Sequence, residues 1–170
     1  MEVVIDSVNL NHLSRPPKAS SKARRPTPTS ESLLDRWIRL RKITLAIDSQ
    51  RALIDEWQKT CGPDIKVLVA HWGDNKGIVF VGNLRNPPQQ TARRLRSLGF
   101  GNDTGDKLVL RIAMGTKDRT IVSDDSDFWD PRRPHDSRLK GKPNAPVARL
   151  CKDELNVTIL LLNMLKDILK

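Results

Sequence analysis

The chain has 170 residues, enough for one domain with its own core, and 30 Lys and Arg against 20 Asp and Glu give it a net charge of +10. Two cysteines, Cys61 and Cys151, without CxxC or Cys/His spacing exclude a disulfide framework and a zinc site. The acids Glu2 and Asp6 do not suit a secretory leader, and the most apolar stretch, 157–162, is too short to cross a bilayer, so the expectation is a soluble cytoplasmic protein with no membrane partner. The basic balance points to a polyanion such as nucleic acid, with a generic basic surface as the alternative.

Val3, Val4 and Ile5 followed by Asp6 predict a short buried strand ending in a carboxylate. Residues 11–30 gather Pro, Ser, Lys and Arg, including Arg15, Lys18, Lys22, Arg24 and Arg25, and read as a long basic loop within the domain. Ser30 to Ser32 open a helix carrying Leu33, Leu34, Trp37, Ile38 and Leu40. Residues 43–47 are a strand or simply extended. Ser49 is placed to cap a helix with Leu53, Ile54 and Trp57 on one face, stopping near Gly62 and Pro63. Residues 66–70 and 78–81 predict two strands joined by a turn at 73–77, a hairpin added to a parallel sheet.

Pro87 and Pro88 begin a basic helix through Arg93, Arg94 and Arg96 that ends at Gly99. Thr104 caps a helix containing Asp106, Leu108, Val109, Ile112 and Ala113, and Gly115 ends it. Residues 119–123 form a strand, and 131–142 a second basic loop with Arg132, Arg133, Arg138, Lys140 and Lys142. A helix over 145–155, a buried strand over 157–162 and a closing helix over 163–170 complete the chain. Strands alternating with helices predict a single α/β domain over 1–170, a three-layer α/β/α sandwich with a mainly parallel central sheet.

The acids that adjoin apolar elements are the candidate site. Ser123, Asp124, Asp125, Ser126 and Asp127 follow the 119–123 strand and lead into Phe128 and Trp129. Three carboxylates in that run repel one another, and a divalent cation with a preference for hard oxygen ligands would relieve them; a solvated acidic turn is the alternative. Asp6 ends the first strand, Glu56 stands beside Trp57, and Asp106 lies in the first turn of a mainly apolar helix. Glu56 alone reads equally as a salt-bridge partner, and Asp106 alone as a complement to the helix dipole. Right-handed crossovers place the first strand beside the one before the acidic run, so Asp6 and Asp125 are expected to face each other across a topological switch point. His12, His71 and His135 are scattered and read as structural or surface residues. Trp129 either packs or stacks on a base.

These four elements, in this order, resemble the PIN-domain nucleases: Val4-Ile5-Asp6-Ser7, Leu53-Ile54-Asp55-Glu56-Trp57, Gly105-Asp106-Lys107-Leu108 and the strand-end run Ser123 to Phe128. The resemblance covers essentially the whole chain. Asp6, Ser7, Val8 and Asn9 also have the Asp-x-x-Asn spacing of the related NYN nucleases. The basic loop after Asp6 is longer than the PIN pattern, and a hairpin in the middle would depart from it. The resemblance implies a PIN-like fold and hydrolysis of phosphodiesters with one or two Mg²⁺ or Mn²⁺ ions and no protein nucleophile. By that resemblance Asp6, Asp106 and Asp125 are metal ligands with Asp127 auxiliary, and Glu56 is a ligand or a base that orients water. Ser123 orients the carboxylates or the water, and Arg132, Arg133, Arg138 and Lys140 grip substrate phosphates. RNA is the expected substrate and a toxin of a toxin–antitoxin or defence system the expected role, with an antitoxin protein and a second copy of the chain as partners that the resemblance allows. A nuclease for DNA or structured ends, and a non-cutting binding module, are the alternatives.

Overall fold

Five short apolar runs form one parallel sheet: β1 (Glu2–Ile5), β2 (Thr44–Asp48), β3 (Ile78–Val81), β4 (Thr120–Val122) and β5 (Thr158–Leu160), in the order β3-β2-β1-β4-β5. The computed structural model describes residues 1–14, 32–134 and 138–170. Among these the helices are α1 (Ser7–Ser14), α2 (Leu33–Arg39), α3 (Ala52–Cys61), α4 (Ile65–Asp74), α5 (Gln89–Ser97), α6 (Thr104–Gly115), α7 (Pro146–Leu155) and α8 (Leu162–Ile168). The architecture is the expected three-layer α/β/α sandwich, and the four strand pairings are all parallel.

The central strands carry no polar alternation because both of their faces are covered. Val3, Val4, Ile5, Leu45, Ala46, Ile47, Ile121 and Val122 are fully buried, as expected of strands sandwiched between helix layers. Helix α1 packs on α2 and α3, and α3 on α4; α6 lies against β1, β2 and β4, and α5 touches α7. The chain steps from β1 to β2 to β3 in one direction, then returns past β1 to lay down β4 and β5. That reversal makes the seam between β1 and β4 the topological switch point. In its register Ile5 pairs with Val122, which leaves Asp6 and Ser123 level as the two chains leave the sheet.

Four expectations are corrected. Residues 66–70 are not a strand, and there is no hairpin with 78–81: the segment belongs to α4, and β3 runs parallel to β2. A five-residue apolar run is ambiguous by itself. What decides it is the longer spacing, because Ile65, Val69 and Trp72 are buried while Val67 is 70% exposed, a helical period. The Trp72 indole also donates to Asp35 Oδ1 at 2.6 Å, tying α4 to α2. Asp35 in turn closes a capping box with Ser32, which caps α2 as expected.

The long basic loop does not begin at residue 11. Residues 11–14 are the second half of α1, whose Leu10 and Leu13 are buried; the remainder, 15–31, lies outside the described residues. Two caps also move by one residue. Asp48, not Ser49, serves α3, its carboxylate accepting from the Ala52 and Leu53 amides at 2.9 and 2.8 Å. Asp103, not Thr104, caps α6. Among the described residues no helix is long and apolar enough to cross a membrane.

Candidate active site

Asp6 leaves β1 as the residue that starts α1: the Leu10 amide bonds its carbonyl, and Oδ1 accepts from the Ser7 amide at 2.7 Å. Its other oxygen, Oδ2, accepts from the Ser123 hydroxyl at 3.1 Å. Ser123 is fully buried, and its Oγ accepts in turn from the Asp125 amide at 3.0 Å. One hydroxyl therefore links the Asp6 carboxylate at the end of β1 to the backbone of Asp125 just beyond β4. Burial pushes the Asp6 carboxyl up, against the lowering by its bonds to Ser7 and Ser123, and the charges of Asp125 and Asp103 raise it further.

Two indoles hold the backbone on either side of this link. Trp57 on α3 donates to the carbonyl of Ile5 at 3.0 Å, and Trp129 donates to the carbonyl of Ser123 at 3.1 Å. Both rings are buried, so Trp129 packs rather than offering a face to a base.

The acidic run divides its labour. Asp124 turns away from the others: its amide donates to the buried Asn9 side chain at 2.8 Å, and its Oδ1 accepts from the Leu162 amide at the start of α8. Asp125 is exposed and caps the short 3-10 turn Ser126–Phe128 by accepting from the Asp127 amide at 3.0 Å. Asp127 is half-buried.

Asp106 arrives from the other direction, buried in the first turn of α6, where Thr104 and Lys107 on either side are exposed. Its carboxyl is pushed up to about 8 by burial first, and then by the charges of Asp127, Asp125, Asp6 and Asp103. Asp127 is also raised, by burial and by Asp125, while a side-chain hydrogen bond with Asp106 pulls the other way. Asp6, Asp106, Asp125 and Asp127 thus act on one another as a single negative cluster over the β1–β4 seam.

Glu56 stands at its rim. Oε1 pairs with Lys59 at 2.7 Å, and Oε2 lies 3.6 Å from the point where a Cβ on Gly105 would sit, with Asp103 Oδ1 at 3.3 Å from the same point. Lys59 is raised by that bond to Glu56 and by the charges of Glu56, Asp103 and Asp55. Sequence reasoning misses Asp103, and it reaches Asn9 only through the Asp-x-x-Asn spacing. Asp103 reads there only as a residue before a helix; nothing local tells that its charge reaches Asp6, Asp106 and Asp127.

The basic residues after β4 sit less uniformly. Arg132 is tied to the Ser97 carbonyl at the end of α5. Arg133 is exposed and Lys140 half-buried, and neither makes an ion pair among the described residues; Arg138 is exposed. Of the histidines, His71 lies in the last turn of α4; the structural role expected for the side chains of His12 and His135 falls outside the described residues. A cleft of about 450 Å³ between α3, α4 and β3 is lined by none of the clustered acids.

The donor set fits a hard divalent cation in kind, being carboxylate oxygens whose mutual repulsion and burial favour anything positive between them. It does not form a ready shell: among the described residues no three His, Cys, Asp or Glu side chains stand close enough to hold an ion as they lie. Binding one would have to draw the carboxylates together. Compared with protein-family models, with curated proteins and with solved structures, the chain gives no match.

Proposed function

We propose that the chain is a cytoplasmic metal-dependent endonuclease of the PIN type that hydrolyses RNA, acting as a toxin of a toxin–antitoxin or defence system. The observation that carries the nuclease reading is the position of Asp6, Ser123, Asp125 and Asp127 just past the carboxyl ends of the two strands that flank the switch point, where α/β sheets build their sites, with Asp106 of α6 close enough to feel their charges. A capping role explains one carboxylate at a time; it does not explain three carboxyls raised by burial first and by neighbouring carboxylates after it. The basic charge of +10 supports a polyanionic substrate.

Asp6, Asp106 and Asp125, with Asp127 auxiliary, would hold Mg²⁺ or Mn²⁺, which supplies an activated water and neutralises charge on the phosphate. The rest is the work of the chain. Ser123 fixes Asp6 through Oδ2 and Asp125 through its amide, while Trp57 and Trp129 keep both strand ends from sliding. Glu56 Oε2, the oxygen that Lys59 does not hold, accepts the proton of the attacking water as the water oxygen bonds to phosphorus and the ester P–O bond breaks. The leaving oxygen takes its proton from solvent. No side chain of the chain bonds to phosphorus.

The test is direct. Purified full-length protein is incubated with mixed RNA and DNA substrates in Mn²⁺ and in EDTA. Internal cleavage of RNA in Mn²⁺ that EDTA abolishes is the expected result. Cleavage of DNA alone would move the substrate, and cleavage of neither polymer would overturn the reading.

A further inference from the structure

Between α5 and α6 lies a cleft of about 370 Å³ that the acidic cluster does not use. Arg96 enters it from α5, and Lys107 and Arg111 from α6; no Asp or Glu lines it. Lys107 and Arg111 are four residues apart on one helical face, where like charges repel. Neither Arg96 nor Lys107 makes an ion pair among the described residues, in contrast to the neighbouring Arg94, which pairs with Glu154. Arg111 is half-buried, its Nη2 donating to the Leu84 carbonyl at 3.2 Å, and its buried Nε has no acceptor. Three cations lining one cleft make a place for phosphate oxygens. The cleft is not polar throughout: Pro87, Leu95 and Leu110 also line it, and the last two are buried core residues.

Its position relates it to the acids. Lys107 follows Asp106 on α6. At Gly101, whose φ is +84°, an added Cβ would lie 2.9 Å from Lys107 Cε, so the glycine lets the lysine stem lie over the turn that continues to Asp103. We propose that this cleft is a nucleotide subsite: Arg96, Lys107 and Arg111 hold one phosphate of a bound strand, displaced from the phosphate at the acids, and the half-buried Pro87 packs against the adjoining sugar and base. That the strand is a substrate rests on the nuclease reading; that the cleft takes a phosphorylated nucleotide does not.

The experiment uses the full chain labelled with ¹⁵N, in EDTA, titrated separately with adenosine 5′-monophosphate, adenosine and inorganic phosphate. The monophosphate is expected to shift the amides of Arg96, Gly101, Lys107 and Arg111 saturably and adenosine not to. The double substitution K107Q/R111Q should weaken the binding at least tenfold while retaining the dispersed spectrum of the parent. Binding of a single-stranded RNA decamer in EDTA should weaken as well, its dependence on log salt flattening by about 0.7 for each phosphate no longer neutralised. Asp125→Asn should leave the monophosphate shifts in place. Inorganic phosphate binding as tightly as the monophosphate would reduce the cleft to a free-anion site and overturn the nucleotide assignment; shifts absent, or confined to residues 131–142, would overturn it too. A protein that cleaves no nucleic acid yet binds the monophosphate at these amides would sink the nuclease reading and leave the subsite standing.

Discussion

The Ser123 hydroxyl donates to Asp6 Oδ2 at 3.1 Å across the β1–β4 seam, a direct bond between side chains that the two strand ends contribute. The serine Oγ also accepts from the Asp125 amide, so Ser123 ties the Asp6 carboxylate to the backbone that carries Asp125. Replacing it by Ala strips a buried carboxylate of its hydroxyl donor and a backbone amide of its acceptor. Ser123→Ala should cost about 1–3 kcal/mol of stability, the usual penalty for an orphaned buried polar group. It should also lower metal-dependent cleavage by about tenfold to a hundredfold, comparable with the loss of a residue that orients a metal ligand. A melting curve and a cleavage assay read the two effects separately, and an unchanged rate would remove Ser123 from the site.

Asp125→Asn keeps the size of the side chain and an oxygen able to cap the 3-10 turn, so the fold should persist. Cleavage should fall by orders of magnitude, since an uncharged amide is a much poorer ligand for a hard divalent cation. A variant that folds and still cuts at the parental rate would mean that the activity lies elsewhere.

The acidic run after β4 and the first-strand Asp6 are legible in the sequence because each follows a short apolar strand, and parallel pairing of β1 with β4 does the rest. The division of labour inside the run is not. Asp124 and Asp125 look interchangeable until the Asp127 amide, two residues on, claims one carboxylate and the Leu162 amide the other, and the Leu162 partner is set by tertiary packing. Helix α4 is hidden for a different reason: residues 66–70 satisfy the composition of a strand, and only burial of Ile65, Val69 and Trp72 reveals the longer period. Helix α1 is obscured because its second half, Asn11 to Ser14, holds one apolar residue and runs straight into the Pro- and Arg-rich segment.

Trp57→Phe tests whether the anchoring of β1 matters to the site beyond packing. The substitution keeps an aromatic ring in a fully buried position but leaves the Ile5 carbonyl without its indole donor. Stability should fall by about 1–3 kcal/mol. Because Asp6 follows Ile5, the rate of cleavage should fall while the affinity for substrate, read in EDTA, stays near that of the parent. Equal losses in both would make Trp57 a residue of the core alone.

Lys59 and Glu56 separate the two meanings of a rim ion pair. The pair is solvent-exposed on the lysine side, so Lys59→Ala should leave the melting temperature near the parent value. Glu56→Gln should also leave the melting temperature near the parent value, yet it removes the proton acceptor proposed for the attacking water, and general-base catalysis contributes roughly 10²- to 10⁴-fold. A large fall in rate with Glu56→Gln, unaccompanied by a fall in stability, distinguishes a base from a salt-bridge partner. If Gln at this position cuts as well as Glu, the base is some other group.

The pH dependence of stability follows from the cluster itself. Asp106 has a folded-state pKa of about 8 against 3.8 for the ordinary carboxyl, and Asp6 and Asp127 are raised in the same direction. A raised acid holds its proton longer in the folded state than in the unfolded one. Between about pH 4 and pH 8 the unfolded chain therefore releases protons that the folded chain keeps, and each step upward in pH favours unfolding. In EDTA the contribution of these groups to the melting temperature should be highest near pH 4, decline through neutrality and level off above pH 8. A divalent cation reverses the preference, because it binds the deprotonated carboxylates. Mg²⁺ or Mn²⁺ should thus raise the melting temperature more at pH 8 than at pH 5, and Asp106→Asn should both flatten the decline in EDTA and diminish the gain from the ion. Calorimetry at four pH values, with and without Mn²⁺, reads all of these. A melting temperature that rises steadily from pH 5 to pH 8 in EDTA, and does not respond to Mn²⁺ at either end, would show that the carboxylates neither repel one another nor gather an ion.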